Sequence, residues 1–395
     1  MESSQTKRLI EENLHYEEAK RLLIKLVQIP SPQTDRLEEE PQVLEFIKGT
    51  IQPELEEAGI HPIIDDRGNL IVSMKGRDAG KRLLLVAYAM NHPAGNMKDP
   101  YSGAVLDGAP FEIQGECVWG RGACEQKGSL AAMMLALKVI AKSQEELAAD
   151  LMFVTSTAGE SGRHDSLNYV LGEGKVRADW AIVDGPPQIQ LGNKGRVDVL
   201  IVVGGTQCHS SRPWDGVNAI EGATRVLEKL RPHMPYPLEK AHPKLGRVSL
   251  SATSIESLPK ATHTIPSQCR ILLDRRLLPG DDPEQAVREV EAIVGTVDPF
   301  TVEVQGRAFT YPSEVSEDAE VVKSLAQAIR TMLGREPEYT FATAALDTGL
   351  LNMEKIQSIN YGARDIRFQH GDHEVVSVNS VFEAAKVFAF IGLHR

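Results

Sequence analysis

RLLLVA, residues Arg82–Ala87, is an almost wholly apolar run in which polar and apolar residues do not alternate. Such a run predicts a strand that is buried on both faces of a parallel sheet. Two more strands of this kind are predicted at Asp150–Thr155 and Trp180–Val183, and a helix of small residues is predicted at Gly128–Ala141. Strands that alternate with helices indicate a mainly parallel α/β sheet flanked by helices, in which ligands bind at the carboxyl ends of the strands.

The middle of the chain follows a different order of elements. Here the pattern predicts the order βαββαβ, which is typical of a small two-layer sandwich. The predicted segments are Val197–Val203, Val217–Leu230, Arg247–Ile255, Gln268–Asp274, Pro283–Val294 and Thr301–Gln305. The alternation of strands and helices seen in the first part of the chain resumes near Ala308. We therefore expect a larger α/β domain of residues 1–195 and 308–395, with residues 196–307 inserted as a smaller domain.

Charge and composition exclude several classes of protein. The 395 residues carry 43 basic and 55 acidic side chains, and this net charge of −12 argues against a nucleic-acid partner, because phosphate contacts need clustered Lys and Arg. The longest apolar run, Leu83–Met90, is far shorter than the ~20 residues that span a bilayer, so no membrane partner is expected. The start of the chain lacks the apolar stretch of a signal peptide, and the four cysteines form no CxxC pair. These features favour a cytoplasmic protein with reduced thiols.

Acidic residues and one histidine lie where an α/β protein places its site. Glu125 precedes the small-residue helix, Glu160 and Asp184 each follow a predicted strand, and His370 lies near the end. Taken singly, a carboxylate at a strand end is most often a helix cap or a solvated loop group. Taken together, these oxygen and nitrogen donors suit Zn²⁺, Mn²⁺ or a similar divalent ion.

Four motifs give the chain a resemblance to a known family. They are Trp119–Gly128 followed by Ala131-Ala132-Met133, the run His209–Ile220, the set Asp274, Arg276, Pro279 and Gly280, and the final His370–Val376. Through them nearly the whole chain resembles the zinc aminoacylase and carboxypeptidase family, which includes acetylornithine deacetylase, succinyl-diaminopimelate desuccinylase and glutamate carboxypeptidase. The resemblance implies a catalytic α/β domain interrupted by a dimerising βαββαβ lid, and a metal-dependent hydrolase of a C–N bond.

The metal centre that the resemblance implies is altered in this chain. The family holds a pair of ions, but its first histidine falls on Tyr88 here, and the aspartate two residues later falls on Met90. The ligands that remain are Glu125 in place of a shared aspartate, Glu160, Asp184 and His370. Because the first site has lost its imidazole, we expect one divalent ion per chain, Zn²⁺ or Mn²⁺.

The general base that the resemblance implies is also missing. The first glutamate of the family's Glu-Glu pair falls on Gly159, which cannot take a proton. Glu160 and Tyr88 are catalytic candidates that could replace it, and Asp184 and His92 are further alternatives. As a metal ligand, His92 is less well supported than as an ordinary loop residue.

The predicted lid carries the residues that the resemblance assigns to substrate binding. His209 matches a histidine that reaches across the dimer to stabilise the oxyanion, and Arg276 matches an arginine that binds a substrate carboxylate. An asparagine that often assists is replaced by His263. The implied partners are a small carboxylate-bearing substrate and a second copy of the chain. Three functions stay open: amide hydrolysis, hydrolytic deamination, and an inactive relative that binds an amino acid or peptide or forms a dimeric scaffold.

Overall fold

The computed structural model describes residues 2–159 and 165–394. Its α-helices are α1 Ser3–Asn13, α2 Tyr16–Val27, α3 Pro41–Phe46, α4 Gln52–Glu56, α5 Gly128–Ser143, α6 Asp165–Gly172, α7 Ala219–Leu230, α8 Pro283–Val294, α9 Glu320–Leu333, α10 Thr348–Met353 and α11 Val378–His394. Segments of π-helix precede α4 at Ile47–Ile51 and α5 at Ala123–Lys127.

The strands follow the same chain order. They are β1 Ile63–Ile64, β2 Leu70–Met74, β3 Gly76–Tyr88, β4 Ala104–Asp107, β5 Glu116–Trp119, β6 Leu147–Ser156, β7 Trp180–Val183, β8 Ile189–Asn193, β9 Gly195–Gly204, β10 Cys208–His209, β11 Ala241–His242, β12 Gly246–Arg247, β13 Leu250–Leu258, β14 Thr264–Ile265, β15 Gln268–Leu277, β16 Thr301–Thr310, β17 Ser313–Glu314, β18 Tyr339–Ala342, β19 Gln357–Asn360 and β20 Val375–Ser377. No helix among the described residues combines the length and the apolar character needed to cross a membrane.

Contacts between Cα atoms divide the chain into two units. The larger unit comprises Met1–Leu191, Val315–Thr340 and Leu350–Arg395, and the smaller unit comprises Gly192–Glu314 and Phe341–Gly349. The domain limits expected from the sequence, 1–195 with 308–395 and 196–307, stay a prediction.

The larger unit is built on one sheet, in the order β1-β2-β6-β3-β7-β19-β8. β3 pairs in parallel with β6 and β7, and β19 pairs in parallel with β7, which confirms the predicted mainly parallel sheet. The RLLLVA run forms the end of β3, where its leucines are buried. The pairs Tyr88–Ser156 and Val86–Val183 bring the carboxyl ends of β3, β6 and β7 to one edge of the sheet.

Two apolar helices complete the core of the larger unit. α5 is the small-residue helix predicted from the sequence, and it is buried on nearly all sides. α11 is similarly buried and packs against α5, α9 and β6. A helix that is apolar all round belongs in the interior of a protein, and α5 is accordingly buried from its first residue, Gly128.

Residues 91–122 contain two strands for which the sequence analysis gives no prediction. β4 and β5 form a hairpin, and β20 adds a third strand more than 250 residues later in the chain, through the pair Val375–Trp119. The strands are only three or four residues long, and their partner is remote in sequence, so local periodicity could not reveal them. This small sheet brings the segment before β20 to the segment before α5.

The smaller unit contains a four-stranded antiparallel sheet in the order β13-β15-β9-β16. Its helices α7 and α8 pack on this sheet, and the chain order β9-α7-β13-β15-α8-β16 confirms the predicted βαββαβ order. Burial alternates strictly along β9, as expected where one face of a sheet is covered by helices.

Candidate active site

Glu125 lies in the π-helical segment Ala123–Lys127 that leads into α5. The segment starts from Gly122, whose φ of +82° is in the left-handed region that glycine adopts without strain. A Cβ atom at Gly122 would also lie 2.7 Å from Cβ of Asn91, so no larger residue fits. The local chain path therefore places the carboxylate of Glu125 at the buried start of the helix, where its exposure is 8%.

A buried ion pair fixes the loop before β20 against this segment. The guanidinium of Arg121 donates a hydrogen bond to Glu374 at 3.0 Å, and the backbone N–H of Cys124 donates to the other oxygen of Glu374 at 3.2 Å. Both charged side chains are 1% exposed. Glu374 thereby connects the segment carrying Glu125 to the segment carrying His370.

His370 meets Glu125 across this connection. Nε2 of His370 lies 3.0 Å from Oε1 of Glu125, and the His92 ring stacks on the His370 ring with a centroid distance of 4.4 Å. The φ of His370 is +58°, a left-handed conformation that is strained for a side chain of this size and that recurs at functional sites.

The electrostatic surroundings keep Glu125 ionised. Burial raises the pKa of its carboxyl group, but the hydrogen bond with His370 and the electrostatic influence of Arg364, His370 and His92 outweigh burial, so the net pKa lies below its ordinary value. The second oxygen, Oε2, is buried and has no hydrogen-bond partner among the described residues. Glu125 therefore offers a charged and unsatisfied oxygen beside an imidazole.

Asp184 has a different partner. It follows β7 at the edge of the sheet, is 1% exposed, and accepts a hydrogen bond from Nη2 of Arg364 at 2.6 Å. Arg364 follows β19, the strand next to β7. The charge of Asp184 is therefore already compensated by a side chain of the same unit.

Tyr88, Met90 and Gly159 are neighbours in the structure. A Cβ atom built on Gly159 would lie 2.7 Å from Cε of Met90 and 2.9 Å from two ring carbons of Tyr88. Real Cβ atoms essentially never come that close to another heavy atom. Three of the positions at which the chain departs from the family pattern therefore form one packing unit, in which the tyrosine and the methionine fill the space that a side chain at position 159 would need.

Two of the expected metal ligands, Glu125 and His370, are neighbours in the structure. Glu125 and His370 supply an unsatisfied carboxylate oxygen and an imidazole side by side, which are ligand types of Zn²⁺ and Mn²⁺. No group of three or more His, Cys, Asp or Glu side chains within residues 2–159 and 165–394 is arranged as a metal site. Glu160, the third expected ligand, lies outside the described residues. Asp184, the fourth, is held by Arg364.

The histidines expected to serve substrate lie in the smaller unit. His209 is on β10, which pairs with β14, and its ring lies 5.8 Å from the ring of His263. The backbone N–H of Ser211 donates to Nδ1 of His209 at 3.2 Å, so the neutral ring carries its proton on Nε2. His209 thus presents a hydrogen-bond donor from an exposed ring.

Arg276 is oriented by an acid on the same strand. Its Nε and Nη2 donate to the two oxygens of Asp274, two residues earlier on β15, at 2.8 and 2.9 Å. A guanidinium has five N–H donors, so this bidentate contact leaves the second edge of the fork available. Arg276 is therefore a pre-oriented cation that can still bind a carboxylate.

Arg364 is the residue of this site that the sequence reading missed. It belongs to none of the four motifs, and it lies shortly after β19, which ends at Asn360. The rule that ligands meet the carboxyl ends of parallel strands, which was applied to Asp184, would have pointed to Arg364 as well.

Residues 191–302 match the family model described as a peptidase dimerisation domain of the M20 type. This part of the chain is similar to the M20 peptidases. The chain is 29% identical over 359 residues to acetylornithine deacetylase of Myxococcus xanthus, covering 86% of this chain and 89% of that protein. It is 27% identical over 403 residues to protein YgeY of Escherichia coli strain K12, covering 94% and 93%. The crystal structure of the M20 family metallo-carboxypeptidase Sso-CP2 from Sulfolobus solfataricus has a TM-score of 0.74 at 19% identity, covering 95% and 98%.

These similarities confirm the resemblance inferred from the sequence motifs. The dimerisation-domain match falls on the smaller unit and its entry strand, and the M20 structure supports the two-unit fold. The sequence relatives support a hydrolase. A similar solved structure, YXEP of Bacillus subtilis, is described as a dinuclear metal binding peptidase of the M20 family, while any ion in the present chain belongs to the proposal below.

Proposed function

We propose that this M20 relative is a metal-dependent amidohydrolase that cleaves a C–N bond in a small carboxylate-bearing substrate and uses one divalent ion. The observation that carries the proposal is the pair formed by Glu125 and His370. The two side chains lie 3.0 Å apart, and the buried Oε2 of Glu125 has no hydrogen-bond partner among the described residues. Two donors held in this way at the edge of an α/β sheet are suited to an ion at a catalytic centre.

Glu125, His370 and Glu160 would hold the ion. When bound, the ion would supply Lewis acidity that polarises the scissile carbonyl group. Side chains of the protein would supply proton transfer and hydrogen bonding to the substrate. Because Gly159 provides no carboxylate, proton transfer would fall to Glu160 when it leaves the ion, and hydrogen bonding with the substrate carbonyl would fall to the Tyr88 hydroxyl. A phenol has an ordinary pKa of ~10, so it donates a proton more readily than it accepts one.

The smaller unit would supply oxyanion and carboxylate contacts in a homodimer. The matched dimerisation domain supports such a dimer. His209, with its proton on Nε2, would donate a hydrogen bond to the developing oxyanion, with His263 beside it. Arg276 would bind the substrate carboxylate through the edge of its guanidinium that Asp274 does not use.

Metal content tests this proposal directly. The protein, purified without a metal-chelating tag, is expected to hold about one Zn²⁺ or Mn²⁺ per chain by elemental analysis. His370→Ala is expected to remove that ion, since two remaining ligands bind poorly. His373→Ala is the matched control: His373 lies in the same loop but packs against the Trp119 ring at 5.6 Å, so its loss should leave the ion in place.

Activity is measured on the same preparations with a panel of N-acyl amino acids and dipeptides. A folded His370→Ala protein that retained its full metal content would place the ion elsewhere and overturn the ligand assignment. Ammonia release from an amine would instead indicate hydrolytic deamination. The packing of Tyr88 and Met90 into the space of a family base favours one further candidate, a binder without turnover, and calorimetric binding of panel members without any product would identify it.

Arg276→Lys is expected to raise the KM for carboxylate-bearing substrates by about 10- to 100-fold, the effect of losing one or two charge-assisted hydrogen bonds worth ~1.5–3 kcal/mol. The same substrates with an amidated carboxyl group should be affected far less. Arg270→Lys provides the control, since Arg270 lies on the same strand, is exposed and contacts Gln268. Equal changes in KM for both variants, or for both forms of the substrate, would exclude a carboxylate contact at Arg276.

A further inference from the structure

We propose that the guanidinium of Arg364 takes the place of a metal ion at Asp184. The cluster formed by Glu125, His370 and Asp184 therefore accepts one divalent ion and excludes a second. The inference concerns the same cluster as the proposed function but does not depend on which reaction occurs there. It rests on three features of Arg364: its backbone anchoring, its contact with Asp184 and its position relative to Glu125.

Backbone hydrogen bonds hold the Arg364 segment on both sides of the cluster. The N–H of Arg364 donates to the carbonyl oxygen of Gly185 at 2.9 Å, directly after Asp184. The N–H of the next residue, Asp365, donates to the carbonyl oxygen of Cys124 at 3.2 Å, directly before Glu125. The guanidinium therefore starts from a point fixed between the two carboxylates.

The chain packs closely where this segment passes the strand ends. A Cβ atom on Gly185 would lie 2.6 Å from Cβ of Asn360, and one on Gly362 would lie 2.3 Å from Oγ of Ser129. Ser129 in turn accepts a hydrogen bond from the N–H of Ala363 at 3.0 Å. The position of Arg364 is thus set by tight backbone packing and not by the ion pair alone.

The guanidinium of Arg364 lies where a cation bound by the carboxylate of Asp184 would lie. Nη2 lies 2.6 Å from Oδ2, the side chain of Asp184 is wholly buried, and that of Arg364 is 14% exposed. Burial of a carboxylate requires a compensating partner, and a guanidinium is a permanent one because it does not lose its proton in proteins. Glu125 also lies within the field of this charge.

A fixed guanidinium at this point has a direct consequence for ion number. A second divalent cation on Asp184 would be adjacent to Arg364 and would be repelled by it. An ion on Glu125 and His370 would lie in the field of the same charge, but Nη2 of Arg364 is hydrogen-bonded to Asp184, and the His370 imidazole and the unsatisfied Oε2 of Glu125 remain as ligands. A purely structural ion pair between Arg364 and Asp184 would make no difference to how many ions the protein binds.

Titration of the metal-free protein with Zn²⁺, with bound metal counted by elemental analysis after gel filtration, tests the inference. Arg364→Met is expected to bind about one more ion per chain than the wild type, and Arg364→Lys, which keeps the charge, is expected to bind the wild-type number. Arg367→Met is the matched control, since Arg367 lies three residues later and pairs with Asp365 at 2.7 Å. An Arg364→Met protein with the wild-type number of ions would overturn the inference.

Asp184→Asn decides the question if Arg364→Met does not fold. In an otherwise wild-type chain this variant is expected to leave the number of bound ions unchanged, because Asp184 is occupied by Arg364. Loss of an ion would show that Asp184 is a metal ligand and would overturn the inference. The measured quantity is the difference in bound ions between variant and wild type. A wild type that binds no ion would contradict the proposed function. The expected gain of one ion in Arg364→Met could still be measured in that case.

Discussion

Glu374→Ala is expected to lower the free energy of unfolding by about 3–5 kcal/mol, the usual cost of removing one partner from a buried ion pair. The variant would leave the guanidinium of Arg121 buried without its carboxylate, at 1% exposure, and would deprive the N–H of Cys124 of its acceptor. Chemical denaturation of the wild type and the variant under identical conditions measures the difference.

A surface ion pair provides the control for this measurement. Lys323 and Asp318 lie 2.9 Å apart with side chains that are 63% and 89% exposed, so Asp318→Ala is expected to cost less than about 1 kcal/mol. The double variant Arg121→Met, Glu374→Leu should recover part of the loss, because replacing both members of a buried pair by apolar residues removes the uncompensated charge. Similar values for Glu374→Ala and Asp318→Ala would show that the buried pair does not hold the site loops.

Gly159→Glu is expected to destabilise the protein by about 1–3 kcal/mol and to add no hydrolytic activity. The cause is steric, since a Cβ atom at this position would lie within 3 Å of both Met90 and Tyr88. A base also acts only within ~2.6–3.2 Å of the proton that it takes, and a displaced carboxylate would not reach it.

The same substitution in a Tyr88→His, Met90→Asp background should behave differently. The smaller side chains would free the space at position 159, so the destabilisation by Gly159→Glu should shrink, and the triple variant should hydrolyse N-acyl amino acids faster than the single one. A double-mutant cycle on stability and turnover measures this coupling. Additive effects would mean that the three positions vary independently, and rapid turnover by the unaltered protein would mean that Gly159 is no handicap.

Much of the fold could be predicted because its signals are local. The run RLLLVA predicts a buried strand from a few adjacent residues, and the small residues of α5 predict an interior helix in the same way. The sheet of β4, β5 and β20 could not be predicted, because its pairing joins short segments that are remote in sequence. The π-helical segment around Glu125 also escapes periodicity, since it depends on contacts of Gly122 with a distant loop.

The candidate site could be predicted residue by residue but not as an arrangement. Motif positions selected Glu125 and His370, which the structure brings together. The substitutions at Tyr88 and Gly159 read as separate losses in the sequence, whereas in the structure the Tyr88 ring fills the space that a side chain at position 159 would need. Arg364 has no motif of its own, and its distance to Asp184 shows that it belongs to the site.

The burial of α11 between α5 and α9 bears on how the protein is made. The strands and helices of the smaller unit come mostly from one continuous stretch of chain, Gly192–Glu314, and can form as soon as that stretch has left the ribosome. The apolar surface of α5 must wait much longer, because the helix that covers it is translated after everything else in the two units. During this interval the nascent larger unit exposes an apolar surface. We expect a holding chaperone to bind this unit and not the smaller one.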